Sequence, residues 1–69
     1  MDFENGTYTL PNEKASRPAT YKQIKWLLSM DSLIDCNVST SQLMKRMPMN
    51  DFDELIQLRK EGIEIEIDG

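Results

Sequence analysis

The sequence contains no histidine and a single cysteine, Cys36, among its 69 residues. An internal disulfide needs two cysteines, and a zinc site of thiolates and imidazoles needs several such ligands, so neither can form. The Ser-His-Asp and Cys-His catalytic arrangements are excluded for the same reason. The three glycines, Gly6, Gly62 and Gly69, are too dispersed to form a phosphate-binding loop. The sequence therefore predicts a protein that is not an enzyme and binds no metal or cofactor.

Long hydrophobic runs are also missing. The longest one, residues 26–28, is far shorter than the roughly 20 residues that cross a bilayer. Residues 1–5 contain Asp2 and Glu4 where a secretory signal has basic residues followed by an apolar stretch. The net charge of −4, from 12 acidic and 8 basic residues, opposes general attachment to nucleic acid or anionic lipid. We therefore expect an acidic, cytoplasmic protein without membrane contact.

Two segments alternate polar and apolar residues, as strands do. Thr7 to Leu10 is one of them, and Ile63 to Asp68 is the other, with three isoleucines on one face and three acids on the opposite face. Asn5-Gly6 is typical of a hairpin turn, but few residues precede it, so residues 1–6 are expected to be loop-like. Residues 11–18 are polar and bounded by prolines, which also predicts a loop.

Three segments have the features of helices. Thr20 is a cap for Tyr21 to Met30, in which Tyr21, Ile24, Leu27 and Leu28 are predicted to share the buried side. Ser39 and Gln42 form a capping box for a short helix that Pro48 stops. Asn50 is the predicted cap of a third helix that ends at Gly62. Between the first two helices, in residues 31–38, Leu33 and Ile34 are expected to enter the core as the chain turns.

These elements predict one α+β domain over residues 1–69, in the order β-α-α-α-β. The terminal strands would pair antiparallel beneath the three helices, because a strand without a neighbour leaves its backbone groups unpaired. Cys36 is interpreted as a small packing residue. The predicted core consists of Tyr8, Leu10, Ile24, Leu27, Leu28, Leu43, Met47, Phe52, Leu55, Ile56, Ile63, Ile65 and Ile67.

The acidic residues have simpler explanations than catalysis. Asp51, Asp53 and Glu54 complement the positive end of a helix dipole, and Glu64, Glu66 and Asp68 lie on the solvent side of a strand. The helix-loop-helix of residues 39–60 is similar in order to a helix-turn-helix, but the acids at the start of its second helix would repel DNA phosphates.

The first helix contains the most promising surface. Lys22 and Lys25 lie opposite its buried side, and Trp26 points beyond them. Trp26 either packs against Leu33, Ile34 or the strands, or it is exposed and anchors a partner. The candidate partner-binding residues are Lys22, Lys25, Trp26, Met30, Lys45 and Arg46.

Residues 19–27 read Ala-Thr-Tyr-Lys-Gln-Ile-Lys-Trp-Leu and are followed by the capped helices of residues 39–60. This pattern resembles a small helical segment of uncharacterised bacterial and phage proteins, sometimes appended to DNA-processing enzymes, in which Ala-Thr-x-x-Gln-Ile opens one helix. In size and acidity the chain is also similar to small prophage accessory proteins of Gram-positive bacteria. The resemblance implies a phage or prophage context and no particular activity.

The sequence thus favours a small interaction module that binds a host or phage protein. A homodimer through the Ile63 to Ile67 strand edge or through the Trp26 surface is a further expectation. The alternative is a nucleic-acid-associated regulator that uses Lys22, Lys25, Trp26, Lys45 and Arg46.

Overall fold

The computed structural model describes residues 3–29 and 34–69. These residues form both helices and strands, which confirms the α+β class, although the order and number of strands differ from the predicted β-α-α-α-β. In chain order the elements are β1 (Phe3–Glu4), β2 (Thr7–Thr9), α1 (Tyr21–Ser29), β3 (Ile34–Cys36), α2 (Thr40–Arg46), α3 (Met49–Lys60) and β4 (Ile65–Asp68).

The strands form one sheet in the order β1-β2-β4-β3. β1 is antiparallel to β2, whereas β4 is parallel to both β2 and β3. The predicted antiparallel pairing of the terminal strands is therefore wrong. Alternation along a strand determines which face is buried, but it carries no information on direction. In the structure α1 returns the chain from the end of β2 to the start of β3, and α2 with α3 returns it to the start of β4, as parallel pairing requires.

β4 is an inner strand with a neighbour on each side. Its backbone N–H and C=O groups are therefore engaged within the chain. Over Ile65 to Ile67 the strand edge predicted to form a dimer is already paired with β2 and β3, so these residues present no unpaired edge.

Two strands lie where the sequence predicted irregular structure. β3 occupies part of residues 31–38; its three residues are too few for alternation to be recognised, and they depend on β4 for pairing. The predicted burial of Leu33 falls outside the described residues. β1 is only two residues long and pairs with β2 across Asn5 and Gly6, whose φ angles of 53° and 84° suit a tight hairpin turn.

The start of α1 and the end of α3 confirm two local predictions. The hydroxyl of Thr20 accepts the N–H of Gln23 at 3.2 Å, and the Gln23 side chain accepts the N–H of Thr20 at 2.8 Å. At the end of α3, Gly62 has a φ of 80°, and its N–H donates to the carbonyl of Arg59 at 2.9 Å. Both ends use partners within a few residues, which is why the sequence could indicate them.

The starts of α2 and α3 depart from expectation. Ser39 accepts the N–H of Gln42 at 3.4 Å as predicted, but the Gln42 side chain accepts from Arg46 instead of returning to Ser39. α3 begins at Met49 and not after an Asn50 cap, and Pro48 at its N-cap position makes no side-chain capping bond. The N–H of Met49 donates to the carbonyl of Arg17 at 2.9 Å, so a distant loop replaces the predicted cap.

The core lies between the helices and one face of the sheet. Its buried residues are Tyr8, Leu10, Ala19, Ile24, Leu27, Leu43, Met47, Phe52, Leu55, Ile56, Ile65 and Ile67. Ala19 was not predicted, and Leu28 is only half-buried. Ile63 was predicted to be buried but is 37% exposed, because β4 begins two residues later. No described helix is both long and apolar enough to cross a membrane.

The two faces of the sheet differ in chemistry. Tyr8, Ile67 and Cys36 lie side by side in register on the face that meets the helices. On the opposite face Glu66 lies in register with Thr7 on one side and Asp35 on the other. The exposed carboxylates on β1, β3 and β4, which we call the acidic sheet face, belong to Glu4, Asp35, Glu66 and Asp68.

Candidate binding surface on the first helix

α1 divides cleanly into a buried and an exposed side. Ile24 and Leu27 are its buried residues. Since each residue of an α-helix turns the chain by about 100°, the residues remaining on the solvent side form a continuous arc. This arc, which we call the α1 face, consists of Tyr21, Lys22, Lys25, Trp26 and Ser29, all exposed. The two aromatic rings lie at its margins and the two lysines lie between them.

Trp26 is partly packed and partly open to solvent. Its ring centre lies 6.0 Å from that of Phe52 on α3, at an interplanar angle of 52°, and Phe52 itself is buried. Even so, Trp26 remains 46% exposed. Contact with Phe52 therefore restrains one part of the indole while the rest stays accessible. A ring restrained in this way has less rotamer freedom left to lose than an unrestrained one.

Tyr21 is also exposed, at 53%, although the sequence assigned it to the buried side. The buried arc is centred between Ile24 and Leu27, and Tyr21 lies about 90° from that centre by helical geometry. One side of the Tyr21 ring borders a groove of about 270 Å³. The groove is lined by Tyr21, Lys25, Leu28, Ser29 and Thr40, so it runs from α1 to the first residue of α2. We call it the α1–α2 groove.

Charge is distributed unevenly over the molecule. α1 and α2 contain no acidic residue, and Lys22, Lys25 and Lys45 on these helices are exposed. The carboxylates of the acidic sheet face lie on the other side of the core. The net charge of −4 therefore conceals a locally basic surface on α1 and α2.

The remaining candidate residues have different surroundings. Arg46 is partly buried, and its Nε donates to the carbonyl of Pro11 at 2.6 Å. Its Nη2 donates to the carbonyl of Leu10 at 3.3 Å and to the Asn12 side chain at 3.1 Å. The guanidinium therefore links α2 to the loop after β2. Because these contacts join residues far apart in the chain, no local sequence pattern indicates them. Met30 lies outside the described residues.

A second concavity, of about 390 Å³, lies where β2, β3 and β4 begin. It is lined by the Asn5-Gly6 turn and by Asp35, Glu64 and Glu66, among others. All three carboxylate residues are exposed. Within residues 3–29 and 34–69, histidine, cysteine, aspartate and glutamate form no group of three or more suited to a metal ion.

Comparison with known proteins gives no match to a protein-family model, to a curated protein or to a solved structure. Any role for the α1 face therefore has to be inferred from its geometry and chemistry alone.

Proposed function

We propose that this chain is a small non-enzymatic interaction module that binds a protein partner through the α1 face. The observation that carries the proposal is Trp26, which keeps 46% of its surface exposed while Phe52 restrains its ring. Tryptophan and tyrosine are enriched among the residues that dominate binding energy at protein interfaces. On the α1 face both occur, with Lys22 and Lys25 available as a polar component.

The phage or prophage context of this module is part of the proposal. This context rests on the sequence pattern of residues 19–27 alone, which include most of the α1 face, since no family model, curated protein or solved structure matches the chain. A host or phage protein is the expected partner class. A second copy of the chain, docked through the same face, is the homodimeric form of the proposal.

Site-directed photo-crosslinking in cells that naturally express the chain tests this function. A photoreactive phenylalanine derivative at Tyr21 should give a covalent adduct of discrete mass, and the same derivative at Ile63, an exposed hydrophobic position outside the α1 face, should not. Trp26→Ala should abolish the Tyr21 adduct. Equal crosslinking from both positions, or a Tyr21 adduct that survives Trp26→Ala, would contradict the proposal.

The Trp26 variant is expected to stay folded. Losing the contact with Phe52 removes an aromatic pair worth about 1 kcal/mol in addition to the burial of the packed part of the indole, and that burial is limited because the ring is already half exposed. Circular dichroism of the purified variant checks this before any loss of crosslinking is interpreted. A variant that has lost its helical signal would have to be replaced by Trp26→Phe, which keeps an aromatic ring against Phe52.

A nucleic-acid-associated regulator is the second candidate. It is favoured by one observation: α1 and α2 present exposed lysines without any acidic residue, next to an exposed indole on which a base could stack. Titration of labelled single-stranded and double-stranded DNA should then quench Trp26 fluorescence at low salt, and binding should weaken steeply with salt. No quenching at low salt would eliminate this candidate.

A further inference from the structure

The α1–α2 groove adds chemical detail to the α1 face. Its lining combines the aromatic Tyr21 and the aliphatic Leu28 with Ser29, Thr40 and Lys25. Its volume of about 270 Å³ lies just below the roughly 300–1,000 Å³ typical of small-molecule pockets. A groove of this size, open to solvent and walled by one aromatic and one aliphatic side chain, suits a single apolar side chain of a larger partner.

The charges around the groove indicate what surrounds that apolar side chain. Lys25 lines the groove, Lys22 lies beside it on the α1 face, and neither α1 nor α2 contributes a carboxylate. On these two helices a basic segment would meet repulsion from the lysines, whereas an acidic one would find complementary charge. An extended polyanion such as duplex DNA would in addition approach the carboxylates elsewhere on a chain of net charge −4, which a short acidic segment avoids.

We infer that the α1 face receives an acidic peptide segment of a protein partner, which inserts one apolar side chain into the α1–α2 groove. In this arrangement Tyr21 and Leu28 contact the apolar side chain, and Lys22 and Lys25 pair with flanking carboxylates. At the other margin of the α1 face, beyond the two lysines, Trp26 contacts the continuation of the segment. The inference rests on the proposed function and names the chemistry of its partner.

Selection from a displayed library of random short linear peptides, with the intact chain immobilised, tests the inference. The enriched peptides should carry several Asp or Glu residues around one Leu, Ile, Phe or Trp. Their addition to isotope-labelled protein should shift the backbone amide signals of α1 and Thr40. Their affinity should fall with increasing salt, because exposed charge pairs are screened.

Two charge-reversal variants separate a local effect from a global one. Lys22→Glu with Lys25→Glu should weaken the enriched peptides by about tenfold or more. Lys14→Glu with Lys60→Glu changes the net charge by the same amount on exposed positions outside α1, and it should leave the affinity within about twofold, since separated surface charges are largely screened. Tyr21→Ala, which removes one wall of the groove without touching the core, should also weaken binding by about tenfold.

Each other outcome overturns the inference in a distinguishable way. Enriched peptides that are basic or neutral, yet depend on Trp26, would overturn the acidic partner and leave the proposed module standing. An absence of enriched peptides alongside a Trp26-dependent Tyr21 crosslink would overturn the linear segment but not the module. Displacement of peptides by single-stranded DNA, with DNA binding lost in the Lys22 and Lys25 variant, would favour the nucleic-acid reading of the same surface.

Discussion

The surface formed by α1 and α2 contrasts with the acidic sheet face in both charge and apolar content. On α1 and α2 the exposed charges are lysines, and they stand beside two exposed aromatic rings. On the sheet the exposed charges are carboxylates, and the neighbouring side chains are threonines. The net charge of −4 describes neither side. The partners that such a small domain attracts therefore depend on the charge of the surface that meets them, and not on the net charge of the chain.

The contrast in charge follows from the different side-chain periodicities of the strand β4 and the helix α1. In β4 every second residue is an isoleucine that enters the core, so the residues between them reach solvent together and concentrate their carboxylates on one face. In α1 the exposed arc gathers residues three and four positions apart, which brings Lys22, Lys25 and Trp26 together.

The largest expected loss of stability comes from breaking a hydrogen bond that joins the sheet to the helices. Tyr8 of β2 is fully buried, and its hydroxyl donates to Oδ2 of Asp51 on α3 at 2.6 Å; Asp51 is only 9% exposed. Asp51→Ala should lower the free energy of unfolding by about 3 kcal/mol, because it breaks a buried hydrogen bond to a carboxylate, which is among the stronger hydrogen bonds in proteins. Urea unfolding followed by Trp26 fluorescence measures the change.

Asp53→Ala is the matched control, since Asp53 is an exposed aspartate two residues further along α3. It should change stability by no more than about 0.5 kcal/mol. If both variants lost the same stability, the bond would not join the layers, and Asp51 would act only as a helix N-terminal charge. Tyr8→Phe in combination with Asp51→Ala should cost less than the sum of the single losses, because the two groups share one hydrogen bond.

A smaller difference in stability is expected between variants of two adjacent basic residues of α2. Arg46→Ala should cost about 2 kcal/mol, because its guanidinium donates to the carbonyls of Pro11 and Leu10 and covers part of the loop after β2. Lys45→Ala should cost about 0.5 kcal/mol or less, since the Lys45 ammonium is exposed. Thermal unfolding of both variants measures the difference. Equal stability of the two would mean that Arg46 belongs to the exposed basic surface, as the sequence predicted.

The sequence predicts those features whose partners are close in the chain. The Thr20 cap uses Gln23, and Gly62 bonds to Arg59, so each can be recognised within one turn. The alternation of residues 63–68 correctly predicts that Ile65 and Ile67 are buried. The exposure of Lys22 and Lys25 follows from helical periodicity in the same way.

Features that depend on distant partners could not be predicted. The direction of β4 depends on how α1, α2 and α3 return the chain, and β3 is a strand only because β4 pairs with it. Met49 begins α3 because a loop carbonyl from Arg17 reaches its N–H. The same limit applied to the candidate site: Arg46 looked like a surface base, although residues more than thirty positions away take up its guanidinium.

The smallest expected effect is a gain of stability on the acidic sheet face. Asp35 and Glu66 are register neighbours on β3 and β4, and like charges opposite each other destabilise a sheet. Asp35→Thr removes the repulsion and introduces a residue that strands favour, so it should raise the free energy of unfolding by about 0.5 kcal/mol. Urea unfolding at low and high salt provides the test, because screening should shrink the gain. A gain that does not depend on salt would come from strand propensity alone, and a loss would mean that the Asp35 carboxylate supports the sheet instead of straining it.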